Sequence, residues 1–279
     1  METIEGRRFG EERALYGSRG CVISGCSFEG PEDGESALKE SRDITVKDCR
    51  FSLRYPMWHC TDLTLKDSTL GPTVRAALWY VKDAKIVNCT MQGVKAVREC
   101  DGMSISDCSI DSDEFGWKCR GLSIKDSRMT SEYAFLDSKD VDLERVELKG
   151  KYSFQYVEGL HITDSILDTK DAFWHSKGAT VEDSVVKGEY LGWYSEGLTL
   201  RNCRIIGTQP LCYCKGLRLI DCTMEGCDLS FEYSDVQAEV TGAVDSVKNP
   251  LSGRIIADSF GEIITEGSVK GCSCEIVRR

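Results

Sequence analysis

No stretch of the 279-residue sequence approaches the 18 or so apolar residues that a membrane-spanning helix needs, so no membrane partner is expected. The opening METIEGRRFGEERALYG lacks the basic, then apolar, then small-residue layout of a secretory leader, which predicts a cytoplasmic protein. Positive charge is in deficit. Lys plus Arg number 35 against 46 Asp plus Glu, a net charge of -11, which argues against a nucleic acid as partner. There is no Gly-rich phosphate loop. The close pairs Cys212/Cys214 and Cys272/Cys274 have CxC spacing, with neither a matching second pair nor His ligands, so neither a metal nor a cofactor is expected.

What the sequence has is cysteine and repetition. Its fifteen Cys are an odd number, and most follow the repeat described next. They read as reduced, small, buried hydrophobes rather than disulfides.

The segment FWHSKGATVEDSVV (173–186) is echoed 19 residues later by GWYSEGLTLRNCRI (192–205). Each repeat can be anchored on one residue: Cys26, Cys49, Ser68, Cys89, Cys108, Ser127, Val146, Ser165, Ser184, Cys203 and Cys222. The gaps are 23, 19, 21 and then 19 seven times. Three before the anchor runs an unbroken apolar column that includes Ile23, Val46, Leu65, Ile86 and Ile105. Five before and two after run two more. Polar residues alternate between the first two columns, and a period of two means strand. Six before the anchor stands Gly or Asp in every repeat. One before it, nine of eleven are Asp or Asn. Both positions read as corners, because these residues tolerate a left-handed backbone. A third corner absorbs the length variation, including EGPEDGES (29–36) and GPTV (71–74).

Three short strands and three corners per 19-residue coil predict an all-β fold, a single-stranded right-handed parallel β-helix of about 11–12 coils. Leucine-rich repeats are the main rival, but their usual period is about 20–29 residues and the leftover segment KDAFWH is too short for their helix. The chain is expected to form one domain over 1–279. Residues 1–17 make an N-terminal coil or cap, 18–234 the regular coils, and 235–279 irregular last coils and a C-terminal cap.

The opening METIEGRRFGEERAL, the aromatic–small pattern of LWYV, FWHS and GWYS, and VDSVKNPLSGRIIADSFGEI near the end resemble an uncharacterised bacterial family of right-handed parallel β-helix proteins. The resemblance spans nearly the whole chain and implies a pectate-lyase-like superfold, but brings no activity and no catalytic residues. The NTD, DD, GHG and RIK motifs of pectin-degrading relatives are absent from the sequence.

All five Trp share one column, ten before the next anchor: Trp58, Trp79, Trp117, Trp174 and Trp193. Arg98, Leu136 and Gln155 are among its other members. The next column holds His59, Tyr80, Glu99, Lys118, Asp137, Tyr156, His175 and Tyr194. Trp mixed with Arg and Gln cannot form a dry ladder, so at least one column must face solvent. One reading is a stacked structural ladder with a charge ladder at Glu99, Lys118 and Asp137. The other is a groove for a saccharide ligand, lined by those Trp, Tyr and His residues and Gln155, with Arg98, Glu99, Lys118 and Asp137 as the candidate catalytic cluster. The best functional expectation is oligosaccharide or polysaccharide binding or processing. The alternative is a non-catalytic scaffold that contacts a protein, including a second copy in a homodimer.

Overall fold

The structure, a computed structural model, describes residues 2–30 and 34–279. The insertion expected at 29–36 lies partly outside them. Strands and turns make up the described residues, with no helix among them, and the strands pair in parallel. The fold is a parallel β-solenoid of about 14 turns, more than the 11–12 coils expected, because the chain also coils before the first anchor and past the last. The contacts divide it into two compact units, Met1–Asp142 and Leu143–Arg279.

In the first unit the strands Arg19–Ser24, Arg42–Lys47, Thr61–Lys66, Lys82–Val87 and Asp101–Ser106 pair in succession. The register places Ile23 on Val46, Val46 on Leu65, Leu65 on Ile86 and Ile86 on Ile105, which are the predicted column mates. All five are buried. Truncating one rung, such as Leu65 to Ala, should cost about 2–5 kcal/mol. The terminal segment coils too, since Glu2–Glu5 pairs with Arg19–Ser24. In the second unit Glu158–Thr163, Thr180–Glu182, Thr199–Arg201 and Leu217–Glu225 repeat the arrangement. Asp235–Val240, Ser252–Ala257 and Glu275–Arg278 extend it past the last anchor.

Both predicted corners are left-handed. Asp43, Asp62 and Asp83 stand six before their anchors, and Asp48, Asp67, Asn88 and Asp107 one before, all with φ between 51° and 57°. The anchor completes the second corner. Ser68 Oγ accepts the Cys49 N–H at 3.0 Å and donates to the Lys66 carbonyl at 2.7 Å. Ser127 does the same for Cys108 and Lys125, and Ser184 for Ser165 and Glu182. Cys108 Sγ stands in the same place, 3.4 Å from the Cys89 N–H and 3.1 Å from the Ser106 carbonyl. The anchor is Ser or Cys in ten coils of eleven because one short γ-atom satisfies two buried backbone groups. All fifteen Cys are free thiols and thirteen are buried. The anchor Cys residues are thus corner caps as well as the buried fillers expected of them.

The third side varies. It is a two-residue strand at Met57–Trp58, Leu78–Trp79 and Val97–Arg98. In later coils it is a run of turns, with Phe135, Phe154 and Phe173 left-handed at φ 63–64°. Gly116 and Gly192 occupy the same position with φ 72° and 74°, where the path again turns left-handed.

Candidate functional site

The Trp column and the column after it both reach the surface. The first is mostly half-buried, although Cys212 is buried. The second is mostly exposed, with Glu99 and His175 half-buried, and the small column beyond it, Cys60, Val81, Cys100 and Cys119 included, is buried. A strand would alternate in and out. Here the outer residues are left-handed: His59, Tyr80, Glu99, Lys118 and Asp137 in the first unit, and Tyr156, His175 and Tyr194 in the second, at φ 51–60°. The kink turns two successive side chains outward. Such a conformation costs a bulky residue roughly 1–3 kcal/mol. Stacking along the coils offsets part of it, about 0.5–1.5 kcal/mol per aromatic pair.

In the first unit Trp58 stacks on Trp79 at 5.4 Å and 12°, and His59 on Tyr80 at 4.9 Å and 18°. Tyr55, which the sequence reading missed, leans on both Trp rings at 6.3 and 6.0 Å. The guanidinium of Arg98 lies 6.0 Å from the Trp79 ring and 5.4 Å from the Trp117 ring, and Lys39 Nζ 4.1 Å from the Trp58 ring. Glu99 accepts from Arg98 Nε at 3.0 Å. Burial would raise its carboxyl, but the Tyr80 hydroxyl and the Arg98 guanidinium outweigh burial and hold it below the ordinary value. The same contact pushes the Tyr80 phenol up. Glu99 therefore pairs sideways with Arg98, not along the ladder with Lys118. Lys118 and Asp137 are exposed, and neither has an ion-pair partner among the described residues.

In the second unit the outer column is a continuous stack. Tyr156 lies 4.9 Å from His175, His175 5.1 Å from Tyr194 and Tyr194 4.8 Å from Tyr213, each within 11° of parallel. Trp174 stacks on Trp193 at 5.5 Å and 4°. Gln155 is half-buried beside Tyr156. Tyr213 gives its hydroxyl to Glu232 at 3.2 Å, and burial, then that carboxylate, push its phenol up to about 12. The hydroxyls of Tyr156 and Tyr194 and the ring nitrogens of His175 have no protein partner among the described residues.

The Trp residues fall into two groups. Trp117, Trp174 and Trp193 give their indole N–H to the carbonyls of Tyr133, Tyr190 and Gln209, at 2.5, 2.7 and 2.8 Å. Each follows a left-handed Gly116, Phe173 or Gly192. Trp58 and Trp79 follow a strand residue instead, and the buried indole N–H of Trp58 meets no acceptor among the described residues. Tyr55, Tyr133, Tyr152 and Tyr190 share a column three before the Trp column, a signal the sequence did offer.

Face-to-face stacking decides what the strip presents. A ring stacked on both sides shows solvent its edge, not its face. The inner Trp rings stack in two pairs, Trp58 on Trp79 and Trp174 on Trp193, and the outer column of the second unit presents a line of polar edges one coil apart.

These features define a parallel β-solenoid with an aromatic strip two residues wide. The chain belongs to the family described as "Protein of unknown function (DUF3737)", which matches residues 2–277. Comparison with curated proteins gives no match. Among solved structures it is similar to PfbA, a surface adhesin of Streptococcus pneumoniae, with 10% identity, TM-score 0.42, and coverage of 82% of this chain and 76% of that one. It is also similar to the mannuronan C-5 epimerase AlgE4 A-module of Azotobacter vinelandii, with 11% identity, TM-score 0.40, and coverage of 93% and 91%. The GH136 lacto-N-biosidase from Eubacterium ramulus gives 8% identity, TM-score 0.32, and coverage of 99% and 61%.

Proposed function

We propose that the protein is a non-catalytic scaffold that binds an extended saccharide along the exposed edge of the strip. The carrying observation is the row Tyr156, His175 and Tyr194. These three polar heads are held in costly left-handed conformations at 4.9 and 5.1 Å ring spacing, without hydrogen-bond partners among the described residues. Such a row offers donors and acceptors at a repeat comparable to one sugar unit of an extended chain. Binding is by hydrogen bonds to ring edges, because His175 and Tyr194 are each stacked on both faces.

Binding rather than turnover is the reading that the charged cluster supports. A general acid must keep its proton near the working pH, yet Glu99 is held ionised by Tyr80 and Arg98. The test is a glycan panel with the parent and a Tyr156→Phe/His175→Ala/Tyr194→Phe protein, read by binding and by product analysis. Retention of a glycan by the parent alone, with no new reducing or unsaturated end, is the expected result. Turnover of any glycan, or equal retention by both proteins, would refute the proposal.

A further inference from the structure

Away from the strip, the turn at residues 71–74 belongs to the coil from Ser68 to Cys89, which is longer than its neighbours. Its backbone presses on the next coil at Gly93, where a Cβ would lie 2.0 Å from the Val74 carbonyl oxygen. Beside it opens a cleft of about 360 Å³ lined by Arg54, Arg75, Val94, Asp111 and Asp113, with the turn as one wall.

Arg54, Arg75, Val94 and Asp113 are successive rungs of one column. The amides of Ser36, Tyr55, Ala76 and Lys95 donate to their carbonyls in turn, at 2.8–3.0 Å. The two guanidinium groups thus arise from adjacent coils, about 4.8 Å apart at the backbone. Like charges so placed repel. Arg54 has Glu35 at 3.5 Å on the coil before it. Arg75 is exposed and has no carboxylate within ion-pair distance among the described residues. Further along the cleft, Asp113 accepts the Glu132 amide through one oxygen at 2.9 Å, which leaves the other, and Asp111 is exposed. Arg75, without a carboxylate partner among the described residues, stands beside Arg54 on one wall with carboxylates on the other, and this matches one kind of ligand. Two forks take an oxyanion. Two carboxylates take neighbouring hydroxyls.

We propose that this cleft binds a small polyhydroxylated anion, its carboxylate or phosphate on Arg54 and Arg75 and its hydroxyls on Asp111 and Asp113. The site uses no residue of the aromatic strip and stands independently of the function proposed for it. Calorimetric titration of the full chain with glucuronate, glucose 6-phosphate, inorganic phosphate and glucose tests it, and the first two separate a sugar acid from a sugar phosphate. One of the two sugar anions should bind more tightly than phosphate or glucose. Arg75→Gln and Asp111→Asn should each weaken it at least tenfold, and Arg218→Gln, in another cleft, should not. Without ligand, Arg75→Gln should melt at or above the parent temperature, because it relieves repulsion. The proposal is overturned if neither sugar anion binds, if binding survives Arg75→Gln, if phosphate alone binds as well, or if Arg75→Gln lowers the melting temperature by several degrees.

Discussion

Replacing Ser68 by Ala isolates the corner cap. The Ser68 side chain is buried, and its Oγ is the acceptor for the Cys49 N–H at 3.0 Å. Removing it strands that amide inside the coil. The Lys66 carbonyl loses its 2.7 Å donor, but still takes the Asp48 N–H at 3.3 Å. The loss is therefore one orphaned donor, about 1–3 kcal/mol, and not two. The cavity adds little, since only one oxygen is lost. Ser68→Cys keeps a γ-atom, as Cys108 does toward Cys89, and should cost less than Ser68→Ala. Urea unfolding followed by far-ultraviolet dichroism measures both. A lower midpoint with unchanged slope marks lost stability rather than a changed unfolded state. If Ser68→Ala unfolds with the parent while Ser68→Cys does not, the anchors are fillers and the capping argument is wrong.

Three other outcomes follow from the same geometry. Burial pushes the thiols of Cys60, Cys212 and Cys227 up to about 12 and that of Cys214 up to about 11. The unfolded chain releases these protons near pH 9 while the folded chain keeps them. Stability should thus fall by at most about 1.4 kcal/mol per pH unit for each thiol across that window, and a urea midpoint flat from pH 8 to 10.5 would contradict it. Glu99 has the opposite sign. Its folded value lies below the ordinary one, so its contribution is present above the ordinary carboxylate value and lost as the pH falls through the lower folded one, and Glu99→Gln should flatten that acid limb of the urea midpoint. Gly192→Ala forces a side chain into φ 74° with its Cβ 3.0 Å from Leu211 Cδ2, so it should destabilise by about 1–3 kcal/mol; a melting temperature equal to the parent's would show that the turn path is not required.

The columns made the coil legible. Ile23, Val46, Leu65 and Ile86 could be aligned from spacing alone because strand alternation fixes the inward face. The corners were legible because Gly, Asp and Asn advertise a left-handed backbone. The strip was not, for the same reason inverted. Tyr80, Tyr156 and His175 are left-handed too, yet residues of that bulk do not announce it, so which columns faced out stayed open. The Glu99–Lys118–Asp137 ladder looked plausible in one column, but the shorter reach from Arg98 captured Glu99. The pairing of Arg54 with Arg75 was masked by the longer coil between Ser68 and Cys89, which displaces the turn that shapes the cleft.

The most direct test of saccharide binding along the strip is affinity against oligosaccharide length, for whichever glycan the panel retains. Three unpartnered heads on successive coils predict that affinity climbs from one sugar unit to about three and then levels off, and that Tyr156→Phe with Tyr194→Phe flattens the climb. Affinity independent of length, or a climb unchanged in that double variant, would contradict the account.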